Sequence, residues 1–186
     1  MLKKMRGFTL IELLIVVAII GILAALLIPN ALEAIQKAKQ KSAMKAIMTV
    51  STAAVDYITD HGDWTGVVQN ATTLTASSAF TTAITPFYIK IIPFNDPWNS
   101  PYKVYTADSV NNLISFAGAT ASSDDFAMAS WGRDKASGTI SAASYTIADP
   151  EGGLYVVSNM ASFDNDLAAW NGSWICGPRT TFASAS

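Results

Sequence analysis

The sequence predicts an α+β chain in which one long N-terminal helix, membrane-borne in its first half and amphipathic in its second, packs on a small antiparallel β-sheet. Three observations predict it. An apolar run extends from Phe8 to Ile28 behind a basic head of Lys3, Lys4 and Arg6. Apolar residues then recur at three-to-four spacing as far as Ile58, the mark of a helix with one buried face. Beyond His61 the pattern changes to short strand-like segments separated by proline, asparagine and glycine.

The apolar run, taken as a helix, covers roughly 30 Å, about one hydrocarbon core. Glu12 interrupts it near its start. A carboxylate in such a segment is costly and marks a function with a partner, unless it snorkels from the helix end to the head-group layer. Three readings meet here: a secretory signal cut after small residues such as Ala24-Ala25, a plain anchor, or a segment cut between Gly7 and Phe8 whose apolar helix is kept. A signal fits poorly, because its apolar core is shorter, about 7–15 residues, and carries no acid. A plain anchor leaves Glu12 without a role.

Pro29 removes one backbone hydrogen bond and crowds the preceding turn, so a bend or local unwinding is expected there. Helical pattern resumes at once with Leu32, Ile35 and Ala38, then Ile47, Val50, Ala54, Tyr57 and Ile58. Glu33 and Lys37 form a favourable i,i+4 pair. One helix over 8–60 is predicted, or two joined at Pro29-Asn30. The face from Ile47 to Ile58 calls for a half-buried sheet to cover it. Gly62 suits a C-cap, and His61, the one histidine, reads as a solvated helix-end residue.

Residues 64–86 are rich in Thr, Ala and Ser and read as loop, with a short helix near 76–84. Strand-like segments follow at 86–93, 103–106, 113–117 and 126–131. Residues 144–147 and 154–157 flank the turn cluster Asp149-Pro150-Glu151-Gly152-Gly153 and predict a hairpin. The Ala/Ser-rich C-terminal residues read as a frayed end.

Composition excludes several classes. Net charge is −2, and removal of Lys3, Lys4 and Arg6 leaves nine basic against fourteen acidic residues. A nucleic-acid surface needs clustered excess cations, so no nucleic-acid partner is expected. One histidine without a Gly-x-Ser-x-Gly nucleophile motif or a second metal-ligand histidine argues against an enzyme. Cys176 is the single cysteine, which forbids an internal disulfide and reads as a buried thiol. The five tryptophans suit core packing more than sugar stacking.

The stretch Gly7-Phe8-Thr9-Leu10-Ile11-Glu12-Leu13-Leu14-Ile15-Val16-Val17-Ala18-Ile19-Ile20-Gly21-Ile22-Leu23 resembles, nearly residue for residue, the N-terminus of type IV pilins and type II secretion pseudopilins. The resemblance implies cleavage after Gly7 by a prepilin peptidase and N-methylation of the new amine on Phe8. It also implies that Glu12 meets the Phe8 amine of a neighbouring subunit during assembly, a pairing that removes two uncompensated charges from a low-dielectric medium and sets register. Its fold is the long helix and small sheet already predicted. The chain then divides into a leader (1–7), an apolar membrane and assembly helix (8–29), its amphipathic continuation (30–61) and a β-rich globular part (62–186).

Ile92-Pro93, Asp96-Pro97-Trp98 and Pro101-Tyr102 resemble the segment before the first sheet strand of major pseudopilins, with Asn99 at a usual glycine. Asn tolerates left-handed backbone, so the exchange is acceptable. Ser130-Trp131-Gly132-Arg133-Asp134 is similar to their Ser-x-Gly-x-Asp calcium loop, with Lys135 replacing another glycine. Asp164-Asn165-Asp166-Leu167-Ala168-Ala169-Trp170 looks like that loop's acidic ending, displaced by an insertion. The resemblance implies calcium as a cofactor, held by Trp131 (through its carbonyl), Asp134, Asp164 and Asp166. The absence of a cysteine pair also leans toward a pseudopilin.

These resemblances imply a structural subunit of a type IV pilus-like filament, first a major-type pseudopilin of type II secretion and second a surface type IV pilin. A membrane-anchored binding module or hydrolase is the reading from another class. Implied partners are further copies in a helical filament, the prepilin peptidase, an inner-membrane assembly platform, minor pilins or pseudopilins, and membrane lipid. The implied location is the bacterial inner membrane, single-pass with the C-terminal part periplasmic, and then the filament.

Overall fold

A computed structural model of the chain describes residues 7–67, 72–114, 120–138 and 141–179. The chain divides into two units, Met1–Gln36 and Lys37–Ser186. Helix α1 (Leu10–His61) contributes to both, and Pro29 lies inside it without interrupting it. A single helix therefore replaces the two-helix alternative. In the first unit the large apolar side chains from Phe8 to Ile28 are exposed, and this stretch is long and apolar enough to cross a membrane.

The second unit is built on the later turns of α1. Gln40, Ala43, Ile47, Val50, Ser51, Ala54 and Tyr57 are buried, the three-and-four spacing of one helix face. α1 ends where Gly62 takes φ +88° and its N–H donates to the Ile58 carbonyl at 2.7 Å, a left-handed cap open to glycine at little cost. His61 stacks on Tyr57 at 4.2 Å, and Tyr57 stacks on the buried Trp64.

The remaining elements are β1 (Thr72–Thr73), α2 (Ala79–Ile84), β2 (Lys103–Thr106), β3 (Phe126–Ser130), β4 (Leu154–Tyr155), β5 (Leu167–Trp170) and β6 (Ser173–Pro178), with 3-10 helices at Ala107–Asn112, Ala142–Ser144 and Met160–Asp164. The strands form one sheet in the order β1-β2-β3-β5-β6-β4. It is antiparallel except where β4 lies parallel to β6. Val104, Phe126, Met128, Leu167 and Ala169 join the core with α1. Tyr105, Ala127, Ala129, Ala168, Ile175 and Cys176 form a second core with Val110, Ile114, Ala142 and Tyr155.

The sheet is thus buried on both faces at its centre, where a half-buried sheet was expected. The cause is legible in Phe126-Ala127-Met128-Ala129, whose small alternate residues leave room for loop segments to cover the second face. Trp64 and Trp98 are buried, and Trp131, Trp170 and Trp174 are half-buried against the two cores.

Three strand expectations are corrected. Residues 86–93 form no strand: Tyr88 and Ile89 donate back to the Ile84 carbonyl, so the chain keeps turning after α2 and leaves Phe87 and Ile91 exposed. Leu113 and Ile114 close the preceding 3-10 helix by donating to Val110; the rest of 113–117 lies outside the described residues. The hairpin over 144–157 is absent as such, because Thr146 and Asp149 close on each other in a tight turn and β4 pairs with β6 instead. The short helix does form, at Ala79–Ile84, capped by the Ser78 hydroxyl accepting from the Thr81 N–H.

The aromatic turn shows why Asp96, Asn99 and the prolines stand together. Asp96 Oδ1 accepts from the Trp98 and Ser100 backbones at 3.0 and 2.8 Å, and Oδ2 accepts from the Ser130 hydroxyl at 2.7 Å, which ties the turn to the end of β3. Asn99 has φ +63°, the left-handed conformation that the glycine comparison requires. Asn99→Ala should therefore cost roughly 1 kcal/mol of stability, and Asn99→Gly should cost nothing or stabilise. Urea unfolding of both variants checks this, and equal midpoints for Ala and Asn at 99 would remove the argument.

Candidate functional site

The N-terminal site begins before the helix. Gly7, Phe8 and Thr9 are non-helical and exposed, with Phe8 85% exposed; residues 1–6 of the leader lie outside the described residues. Thr9 is the N-cap of α1. Its hydroxyl accepts from the Glu12 N–H at 3.3 Å, while Glu12 Oε2 accepts from both the Thr9 N–H and hydroxyl at 2.8 Å. This reciprocal pair is a capping box, which satisfies donors at the helix start that have no intrahelical partner. Thr9 is the residue that sequence reasoning missed, although Thr9-Leu10-Ile11-Glu12 carries the S/T-x-x-E signature. Within one chain, then, Glu12 already has hydrogen-bond donors one turn away.

The second site is the pair of loops at 130–138 and 160–166. Gly132 has φ +70°, and a Cβ there would stand 2.7 Å from the Asn165 carbonyl oxygen and 2.9 Å from that of Phe163. Glycine alone lets the loops pack backbone to backbone. Arg133 donates from its N–H to the Phe163 carbonyl, and its guanidinium holds Asp164 with both arms, Nε to Oδ1 at 2.7 Å and Nη2 to Oδ2 at 2.9 Å. Asp164 beside it pushes the Arg133 guanidinium further up.

Asp166 is fully buried. Its Oδ1 accepts from the Gly138 N–H at 3.0 Å and its Oδ2 from the Ser137 hydroxyl at 3.4 Å. Burial pushes its carboxyl up to about 6, against the pull of those donors. The Cys176 thiol donates to the Asp166 carbonyl at 3.1 Å, and Gln40 of α1 reaches the same point through the Tyr155 hydroxyl. Burial pushes the Cys176 thiol well up, as an inert core cysteine should be.

These residues do not fit a calcium ion as arranged. Calcium takes six to eight oxygens. Both Asp164 oxygens are engaged by Arg133, Asp166 faces its own loop donors, and Asp134 Oδ1 accepts from the Ala136 N–H at 3.1 Å. Trp131 is half-buried at the end of β3. Asp134 and Asp164 do line one polar cavity with Gly138, Asn159 and Asn165. Yet no group of three or more His, Cys, Asp or Glu able to hold a metal converges among the described residues. The guanidinium of Arg133 supplies the positive charge at Asp164.

The apolar, exposed start of α1 with its capped carboxylate coincides with the stretch that a known family shares. The family model described as prokaryotic N-terminal methylation motif matches residues 2–28. The chain is 30% identical to the type II secretion system core protein G of Aeromonas hydrophila over 119 residues, covering 62% of this chain and 82% of that one. It is 35% identical to the protein of the same name from Vibrio cholerae over 111 residues, covering 55% and 73%. Over 55 residues it is 49% identical to a type IV major pilin protein of Myxococcus xanthus, covering 30% and 25%. No solved structure matches it. The chain belongs to the family of type II secretion system core protein G. It is accordingly a structural subunit and not an enzyme.

The Asp166 carboxyl has a sign that can be tested. Its folded-state value lies above the ordinary 3.8, so the folded protein holds that proton more tightly than the unfolded chain. Its contribution to stability is full below about pH 4 and is lost as pH rises through about 6. Asp166→Asn keeps an acceptor for Gly138 and removes the titration. Between pH 4 and pH 7 the variant should gain melting temperature relative to the parent, and parallel profiles would contradict the assignment.

Proposed function

We propose that the chain is a major-type pseudopilin: a structural subunit that prepilin peptidase cleaves between Gly7 and Phe8, that is methylated on Phe8, and that polymerises through the apolar part of α1. The observation that carries this is the junction itself. Gly7 and Phe8 precede the helix and are exposed, so the scissile bond is presented in irregular backbone, and an apolar helix of membrane-spanning length follows directly.

Before assembly, lipid covers the apolar segment; in the filament, other copies do. Glu12 then exchanges its Thr9 donors for the Phe8 amine of a neighbour. In lipid an uncompensated carboxylate is expensive, so the exchange is favourable only where the amine arrives in register. The C-terminal unit faces the periplasm. The assembly platform and minor subunits are the partners this reading requires.

A surface pilus is the second reading, favoured by the match to a type IV major pilin protein and to a fimbrial protein of Neisseria meningitidis, 39% identical over 72 residues. The match to core protein G covers more of the chain, 62%, which favours secretion. Deletion of the gene, scored for surface pili and exoproteins together, separates the two. The pseudopilin reading predicts exoproteins stalled in the periplasm with pili retained; lost pili with intact secretion would reverse it.

Glu12→Leu should leave membrane insertion unchanged and reduce filament yield at least tenfold, as counted in sheared fractions. Unchanged yield would sink the registry role. Peptide mapping of the mature chain should begin at methylated Phe8, and a start at Met1 or near Leu26 would exclude the processing.

A further inference from the structure

The loops at 130–138 and 159–166 resemble a calcium loop in sequence but are bonded through a cation of their own. The Arg133 side chain is 33% exposed, and its guanidinium spans both oxygens of Asp164, Nε to Oδ1 at 2.7 Å and Nη2 to Oδ2 at 2.9 Å. A fork of this kind matches one carboxylate and fixes the orientation of both partners. The backbone N–H of Arg133 donates to the Phe163 carbonyl at 2.8 Å, so backbone and side chain of one residue grip two consecutive residues of the facing loop. Asp164 and, behind it, Asp134 favour the charged guanidinium.

Side-chain oxygens around the polar cavity at this junction are engaged as well. Asp134, Asn159, Ser162, Asp164 and Asn165 line it. Asn159 Oδ1 accepts from the Ser162 N–H at 3.1 Å and hydroxyl at 3.3 Å, and Asp134 Oδ1 accepts from the Ala136 N–H at 3.1 Å. Arg133 and Lys135 stand against Asp134, Asp164 and Asp166, and the last of these is buried on its own loop donors. Lys135 takes φ +63°, so a second cation occupies a left-handed position that suits glycine better. A calcium ion, which needs six to eight oxygens, would have to displace Arg133 from Asp164 to enter.

We propose that the Arg133 guanidinium is the resident cation of this junction: it closes the two loops in the place a calcium ion would take and makes their closure independent of calcium. Arg133 is in this sense a positioning residue, holding Asp164 and with it the 159–166 loop against 132–138. The inference concerns the closure of one chain and stands apart from the filament reading. It carries a corollary. Without the guanidinium, Asp134 and Asp164 keep their negative charge on a cavity shared with Asn159 and Asn165, a set of hard oxygens to which calcium is then attracted.

Amide hydrogen exchange on the full-length chain in detergent micelles reads the closure locally, in peptides covering 132–138 and 160–166, with millimolar calcium or with chelator. The parent should exchange at the same rate in both. Arg133→Ala in chelator should exchange roughly tenfold faster there, the scale of one charge-assisted hydrogen-bonded pair, while peptides of β2 and β3 stay unchanged. Calcium should slow that variant again. Arg133→Lys keeps the charge and loses the fork, so its exchange should fall between the two and ignore calcium. Slower exchange of the parent in calcium would overturn the proposal, and so would Arg133→Ala behaving like the parent or opening without any response to calcium. If Arg133→Ala loses the sheet, the parent and Arg133→Lys carry the test, and a calcium response in either one overturns it.

Discussion

The rest of the molecule answers to one constraint: the large apolar side chains from Phe8 to Ile28 are exposed and cannot remain in water. Burying so many Leu, Ile and Val side chains is worth tens of kcal/mol, at roughly 1.5–3 kcal/mol each. Only lipid or other apolar helices supply such a surface. On the proposed function a chain with this segment lives in two environments in turn, and its energy of burial is carried from one to the other with little change. The small differences, such as where one carboxylate finds its partner, then decide between them.

On the proposed function Glu12 makes that decision. In the single chain it is an N3 residue closing on Thr9, two hydrogen bonds at 2.8 Å that hold the helix start. A carboxylate with neutral donors is satisfied geometrically but remains a charge. An ammonium gives it both, which is why a register mark built from Glu12 and a new N-terminus is stronger than one built from neutral groups. The β-rich unit has a different task. It buries the amphipathic part of α1 under Val104, Met128 and Leu167 and leaves basic and acidic stripes of the same helix outside.

Much of this was legible in the sequence because it is local. The apolar run, the three-to-four spacing from Ile47 to Tyr57, the cap at Gly62 and the left-handed Asn99 each depend on neighbours a few residues away. The strand failures are non-local. Phe87 to Ile92 alternates like a strand, yet two prolines bracket it and the backbone turns back on α2. β4 was assigned to a hairpin with residues 144–147, but its partner is β6, reached through a parallel pairing that no turn signal announces. At the acidic loops the sequence presents Asp134, Asp164 and Asp166 as a ligand set. Only the fold shows that Arg133 occupies Asp164 and that Asp166 points into its own loop.

The central claim is that Glu12 changes partner when the chain assembles. A filament structure at a resolution that shows side chains tests it most directly. The account predicts residues 8–28 packed around the filament axis and the Glu12 carboxylate within hydrogen-bond distance of the Phe8 amine of an adjacent subunit. Glu12 still closed on its own Thr9, with the neighbouring amine paired elsewhere, would contradict it.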